Sequence, residues 1–258
     1  MNNEIHSIFS DMNKITNTIG YMPDGANCPK CDGLRTDTPE REVYAARRAS
    51  YKLVTPLCKC VDKDHQKWAG LVSWANLPHE RVPDDHRTFA TWAGTDNADA
   101  LAASKLFATG DGPHILTLFG PPDGGKSHLL EAIGRFNLAA GRSVRYSFAS
   151  AFLDDLRMAS VDDGTTAGAL METYAITKVI LLDDIAVENA NSFAVERLTS
   201  LVDHRYRDGL RLAVATNLGP EKLGEKLGER IASRLFDEGT GAVNIVMMKS
   251  TGHRKASP

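Results

Sequence analysis

Eight residues, Gly120-Pro121-Pro122-Asp123-Gly124-Gly125-Lys126-Ser127, fit the spacing G-x-x-x-x-G-K-S without a gap. Glycines in such a loop let successive backbone N–H groups converge on phosphate oxygens, and a helix that opens there adds positive potential. Lys126 would reach the β- and γ-phosphates of a nucleoside triphosphate, the Ser127 hydroxyl would help to hold Mg2+, and His128 continues the contact stretch. The context is the one this chemistry needs. An apolar run, Ile115-Leu116-Thr117-Leu118-Phe119, precedes the loop, and a helix-like segment starts near Lys126.

Three further sets of residues suit a triphosphate site. Val179-Ile180-Leu181-Leu182 reads as a buried strand that ends in Asp183 and Asp184. There Asp183 can hold Mg2+ through water and Asp184 can orient or deprotonate an attacking water, with Glu188 a more distant candidate. The same pair is also an ordinary turn or helix cap. Leu212-Ala213-Val214-Ala215-Thr216 is another apolar run, and Asn217 at its end can bond a γ-phosphate or simply open the turn before Gly219-Pro220. Arg230 and Arg234 lie four apart, hence on one helix face. They either reach the nucleotide of a neighbouring subunit or form a solvated face paired with Glu225 or Glu229.

The elements that must position these groups follow from periodicity. Strands are predicted at His114–Phe119, Ser143–Phe148, Lys178–Asp183, Arg211–Thr216 and Val243–Met248. Helices are predicted at 97–109, 127–140, 150–159, 190–208 and 219–236. The alternation implies an α/β fold with a mainly parallel sheet covered on both faces, whose ligands bind beyond the carboxyl ends of the strands.

Upstream, Cys28-Pro-Lys-Cys31 and Cys58-Lys-Cys60 are the four cysteines of the chain. Two close pairs can close a tetrahedral thiolate Zn2+ site, with His65 a substitute ligand, and the metal would supply folding energy to so small a module. Four cysteine ligands leave no open position, so the site would be structural. Residues 1–65 therefore read as an amphipathic helix (Ile5, Ile8, Phe9, Met12, Ile15, Ile19) with a four-cysteine zinc-binding module. Residues 66–95 read as a linker, with Trp68, Trp74 and Trp92 placed to stack on bases or to pack against the main domain at 96–258.

The 258 residues carry 42% hydrophobic and 24% charged residues and a net charge of −3, which argues against a broadly basic nucleic-acid coat but permits a local basic groove. Neither a signal-peptide pattern nor an apolar run of membrane-spanning length is present, so the expectation is a cytoplasmic protein without membrane contact.

Taken together, Gly-Lys-Ser-His-Leu-Leu, Leu-Leu-Asp-Asp-Ile, Asp203-His204-Arg205-Tyr206, Ala-Thr-Asn-Leu and Glu-Arg-Ile-Ala-Ser-Arg-Leu resemble the AAA+ ATPases of the DnaC/DnaI helicase-loader group, phage-encoded members included. The resemblance covers roughly residues 86–248, and the Cys-Pro-x-Cys and Cys-x-Cys pairs suit it. It implies a P-loop AAA+ (ASCE) parallel sheet flanked by helices, with ATP and Mg2+ held by Lys126, Ser127, Asp183 and Asp184. It also implies Asn217 as first sensor, Arg234 as arginine finger, Arg230 as its support, and Arg254 as a candidate second sensor. The implied activity is slow ATP hydrolysis that delivers a replicative DNA helicase onto single-stranded DNA, with self-association through the AAA+ domain. Departures are Asp123 in place of glycine, Gly124 in place of threonine and Asp184 in place of glutamate. Two other readings share the motifs. One is a transposition helper ATPase of the IstB type. The other is a zinc-dependent DNA-binding adaptor whose nucleotide site has decayed, with Asp123 as the symptom.

Overall fold

The computed structural model describes residues 71–78, 87–162, 164–186 and 190–250. The four cysteines, the N-terminal amphipathic stretch, Glu188 and Arg254 lie outside these residues.

Five strands form one parallel sheet: β1 (Ile115–Phe119), β2 (Val144–Phe148), β3 (Val179–Asp183), β4 (Arg211–Thr216) and β5 (Val243–Met247), in the order β2-β3-β4-β1-β5. The register sets Phe119 opposite Thr216 and Met247, and Phe148 opposite Asp183, so the carboxyl ends line one edge. Helices connect and cover the strands: α1 (Ala98–Thr109), α2 (Lys126–Ala139), α3 (Ala149–Asp162), α4 (Gly164–Ile176), α5 (Ser192–Arg207), α6 (Pro220–Leu227) and α7 (Glu229–Phe236).

The near-continuous apolar strands are explained by burial on both faces. Alternate residues go to opposite cores. Leu116, Leu118, Leu181, Ala213 and Ala215 pack under α1 and α2 with Phe107, Leu129 and Ile133. Ile115, Ile180, Leu182, Leu212 and Val214 pack on the other side with Phe152, Leu198 and Ile231. The first of these cores also takes in Ala75, Leu77 and Phe89. Thus residues 71–78 and 87–95, read from sequence as linker, lie against the sheet domain. Trp74 donates to Thr177 Oγ1 at 3.0 Å and meets Tyr174 edge-on.

Two elements differ from the periodicity. The single helix expected over 219–236 is two helices, because Gly228 takes φ 95°, ψ 147°, a conformation open in practice to glycine alone. Helix α4 was not anticipated. Its sequence, Gly-Thr-Thr-Ala-Gly-Ala-Leu-Met-Glu-Thr-Tyr-Ala-Ile, shows no apolar stripe. It is fixed at its C-terminal end by a side chain from α5. Arg205, fully buried, donates to the carbonyls of Tyr174, Ala175, Thr177, Lys178 and Arg211 at 2.7–3.4 Å. Burial lowers its pKa from 12.5 to about 10, which still leaves it charged at neutral pH. The cation thus caps the carbonyl end of α4 and ties it to the starts of β3 and β4.

Candidate nucleotide-binding site

The loop between β1 and α2 is built on the carboxyl edge of the sheet. Gly120 N–H donates to Thr216 O at 3.2 Å, and Met248 N–H donates to Phe119 O at 2.7 Å, so β4 and the residue after β5 form its floor. A methyl group at Gly120 would collide with the Met248 carbonyl, and its φ of 139° admits little besides glycine. Gly125 precedes α2 at φ 88°, and a Cβ there would lie 2.5 Å from the Trp92 ring. The N-cap of this 14-residue helix is Gly125, which brings no side chain to its first turn, and this suits an anion received by backbone N–H groups.

Lys126 is nearly buried, and its Nζ donates to Gly120 O and Pro121 O at 2.7 Å each. Burial lowers its pKa below 10.5, while the charges of Asp183, Asp184 and Asp123 oppose that shift. Lysine and the β3 carboxylates therefore share one electrostatic neighbourhood, although β4 separates their strands.

Asp183 closes β3 and is buried. Its Oδ1 accepts the Asp184 N–H at 3.0 Å and its Oδ2 accepts the Tyr146 hydroxyl at 2.7 Å. Burial, then the charge of Asp183 and the hydrogen bond to it, push the Tyr146 phenol far up. Tyr146 therefore remains a donor. Asp184 is exposed, at φ 50°.

Beside the loop lies a cavity of about 330 Å³ lined by Arg87, Thr91 and Trp92 from one side and by Asp123, Ser127 and His128 from the other. His128 Nε2 lies 2.8 Å from Thr88 O, and its ring meets Trp92 edge-on at 5.2 Å. Arg87 Nη1 pairs at 2.6 Å with Glu131, which is 1% exposed on the buried side of α2. Asn97 fastens the loop from behind. Its Nδ2 donates to Gly124 O at 3.2 Å and to Lys249 O at 2.9 Å, and its Oδ1 accepts Lys249 N–H at 2.8 Å.

Asn217 is exposed at the tip of β4, next to β1 as expected for that strand. The two arginines lie elsewhere. Their acid is neither Glu225 nor Glu229 but Asp203 on α5, at 2.5 Å from Arg230 and 3.2 Å from Arg234. Asp203 lies three residues before Tyr206, whose carbonyl meets His114 at the start of β1, while Phe236, two residues after Arg234, meets Phe119 edge-on at 5.4 Å.

Tyr146, Glu131, Asn97 and Asp203 were missed from sequence. A carboxylate interrupting the apolar run Leu129-Leu130-Glu131-Ala132-Ile133 was a readable signal of a buried ion pair. The roles of Tyr146 and Asn97 depend on which strand and segment lie alongside, and a single sequence does not reveal that. Among the described residues no group of three or more His, Cys, Asp or Glu is arranged to hold a metal by itself, and no described helix is long and apolar enough to cross a membrane.

The model of the IstB-like ATP-binding protein family matches residues 52–257. An ATP-binding protein of an insertion sequence of Mycobacterium tuberculosis (strain ATCC 25618 / H37Rv) is 25% identical over 155 residues, and the chain spans 60% of that relative's length, as of its own. Among solved structures, the DnaC helicase loader has a TM-score of 0.56 at 18% identity over 64% of this chain and 98% of that one. DnaI has a TM-score of 0.53 at 17% identity over 65% and 90%. AMPPCP-bound DnaA from Aquifex aeolicus has a TM-score of 0.56 at 22% identity over 64% and 50%. At these identities the structural likeness is one of fold, the α/β fold of P-loop AAA+ ATPases.

Proposed function

The chain belongs to the family of IstB-like ATP-binding proteins, and from that premise we propose that it is an ATP-hydrolysing switch that delivers a DNA-processing partner to its substrate. The loop Gly120–Ser127 would receive the triphosphate on its N–H groups, and the cavity beside Trp92 and Arg87 would take the nucleobase. Lys126 would leave the Gly120 and Pro121 carbonyls for the β- and γ-phosphates. Ser127 and Asp183 would hold Mg2+, which when bound neutralises charge growing on the phosphate oxygens. Tyr146 holds one oxygen of Asp183 and so fixes the carboxylate plane. Asp184 would orient the attacking water and take its proton, and Asn217 would hold that water or the γ-phosphate. Arg234, with Arg230 beside it, would serve the site of a neighbouring copy.

The observation that carries this reading is the meeting of Lys126 with Asp183 and Asp184 at one edge, around a loop whose helix opens on a glycine N-cap. It also weighs against a decayed site. Lys126→Ala is expected to abolish saturable binding of a fluorescent ATP analogue. Arg234→Ala is expected to keep that affinity and to lose about 10³-fold in kcat. Normal turnover by the Arg234→Ala protein would remove the finger.

For the partner, we propose a replicative helicase loaded on single-stranded DNA, supported by the paired cysteines that accompany the motifs. Cys28, Cys31, Cys58 and Cys60 would bind structural Zn2+ through four thiolates in the module that contacts the partner. The insertion-sequence relative supports a second reading about equally, in which the client is a transposase. Co-purification with each candidate, in ATP and single-stranded DNA, separates them. A joint complex with the transposase alone would reject the loader.

A further inference from the structure

Asp203 stands near the C-terminal end of α5, three residues before Tyr206, so the two side chains share a helix face. A carboxylate there faces the negative end of the helix dipole, and this one is only 7% exposed. Two cations meet it there, both from α7. Arg230 Nη2 binds Oδ2 at 2.5 Å, and Arg234 Nε binds Oδ1 at 3.2 Å. Arg234 is held a second way, with its Cζ 4.5 Å from the centre of the Tyr206 ring. Tyr206 is itself pinned, because its hydroxyl donates to Thr240 Oγ1 at 2.9 Å and its carbonyl meets His114 Nε2 at 3.0 Å.

These contacts spare one part of Arg234. Its inner nitrogen and its flat face are engaged, but neither terminal nitrogen bonds any described residue, and a third of the side chain is exposed. Arg230 differs: it commits a terminal nitrogen to Asp203 and is two-thirds exposed. The two terminal nitrogens are the ones whose parallel N–H groups match phosphate oxygens.

We propose that Asp203 is a positioning residue for ATP hydrolysis: it grips Arg234 by Nε above Tyr206 and so presents the open end of the guanidinium to the γ-phosphate held by a neighbouring copy. The proposal rests on the reading of Arg234 as a finger acting between subunits. A guanidinium fixed in advance loses less rotational freedom when it meets the phosphate, which is where preorganisation gains its effect.

The test is complementation between inactive chains. Lys126→Ala protein keeps the finger and lacks the nucleotide site; Arg234→Ala protein keeps the site and lacks the finger. Mixing them should restore hydrolysis. Adding Asp203→Asn to the Lys126→Ala chain should cut the restored rate roughly tenfold, with Asp203→Glu, which keeps the charge, in between. In an otherwise native chain, Asp203→Asn should lower kcat and leave KM and nucleotide affinity unchanged. Failure of the two parent chains to complement would overturn the intersubunit finger, and this proposal with it. Equal complementation with and without Asp203→Asn would leave the finger standing and reduce Asp203 to an ordinary ion pair. Joint loss of nucleotide affinity and kcat in Asp203→Asn would likewise mark a purely structural role.

Discussion

Asp123 adopts φ 63° in the middle of the phosphate loop, which gives a physical account of the departure seen in the sequence. The position demands a left-handed backbone, where glycine is at ease and aspartate is among the few other residues tolerated. Geometry is thus kept while a negative charge is added close enough to act on Lys126. The expected consequence is weaker nucleotide binding rather than a broken loop. Asp123→Gly should tighten binding of an ATP analogue roughly three- to tenfold, as removal of one like charge at partly screened range would do. Unchanged affinity in that titration would mean that the carboxylate is turned away from the phosphates. Asp184, at φ 50°, is the other non-glycine of the site in this backbone region, directly after the carboxylate that Tyr146 holds.

Helices α6 and α7 meet at Gly228, and their junction decides where Arg230 and Arg234 stand relative to α5. A Cβ at Gly228 would meet no atom, so an alanine there is opposed by backbone conformation alone. Gly228→Ala is expected to cost about 1–3 kcal/mol, read as a lower midpoint in thermal unfolding. It should also reduce ATP turnover by shifting α7, with nucleotide affinity preserved; an unchanged melting curve would contradict the strain. This junction also shows what a sequence can convey. Strands β1, β3 and β4 were legible because a strand buried on both faces has little choice but to be apolar throughout, and the phosphate loop was legible because its glycines answer to local backbone geometry. Helix α4 was not legible, because Arg205 holds its end through five carbonyls contributed by several elements. Asp203 was passed over in favour of Glu225 and Glu229 because proximity along the chain is a poor guide to which acid a helix meets across a packed interface.

On the scale of the molecule, the phosphate loop lies at the carboxyl edge of the sheet, and the proposed reading of Arg234 as a finger for a neighbouring copy means that one copy does not complete its own site. Hydrolysis per chain should therefore rise with protein concentration until assembly saturates, while nucleotide binding does not. A specific activity flat across a hundredfold dilution series would favour a self-sufficient subunit. The Asn97 clamp has a different implication, one about time. It joins Gly124 to Lys249, and the floor under Gly120 is the backbone at Met248. A ribosome makes the loop long before it makes that floor. The growing polypeptide therefore carries its phosphate-binding sequence from Ser127 until Val243–Met247 has been added, without the strand that shapes it, and competence for nucleotide is acquired only when β5 docks beside β1.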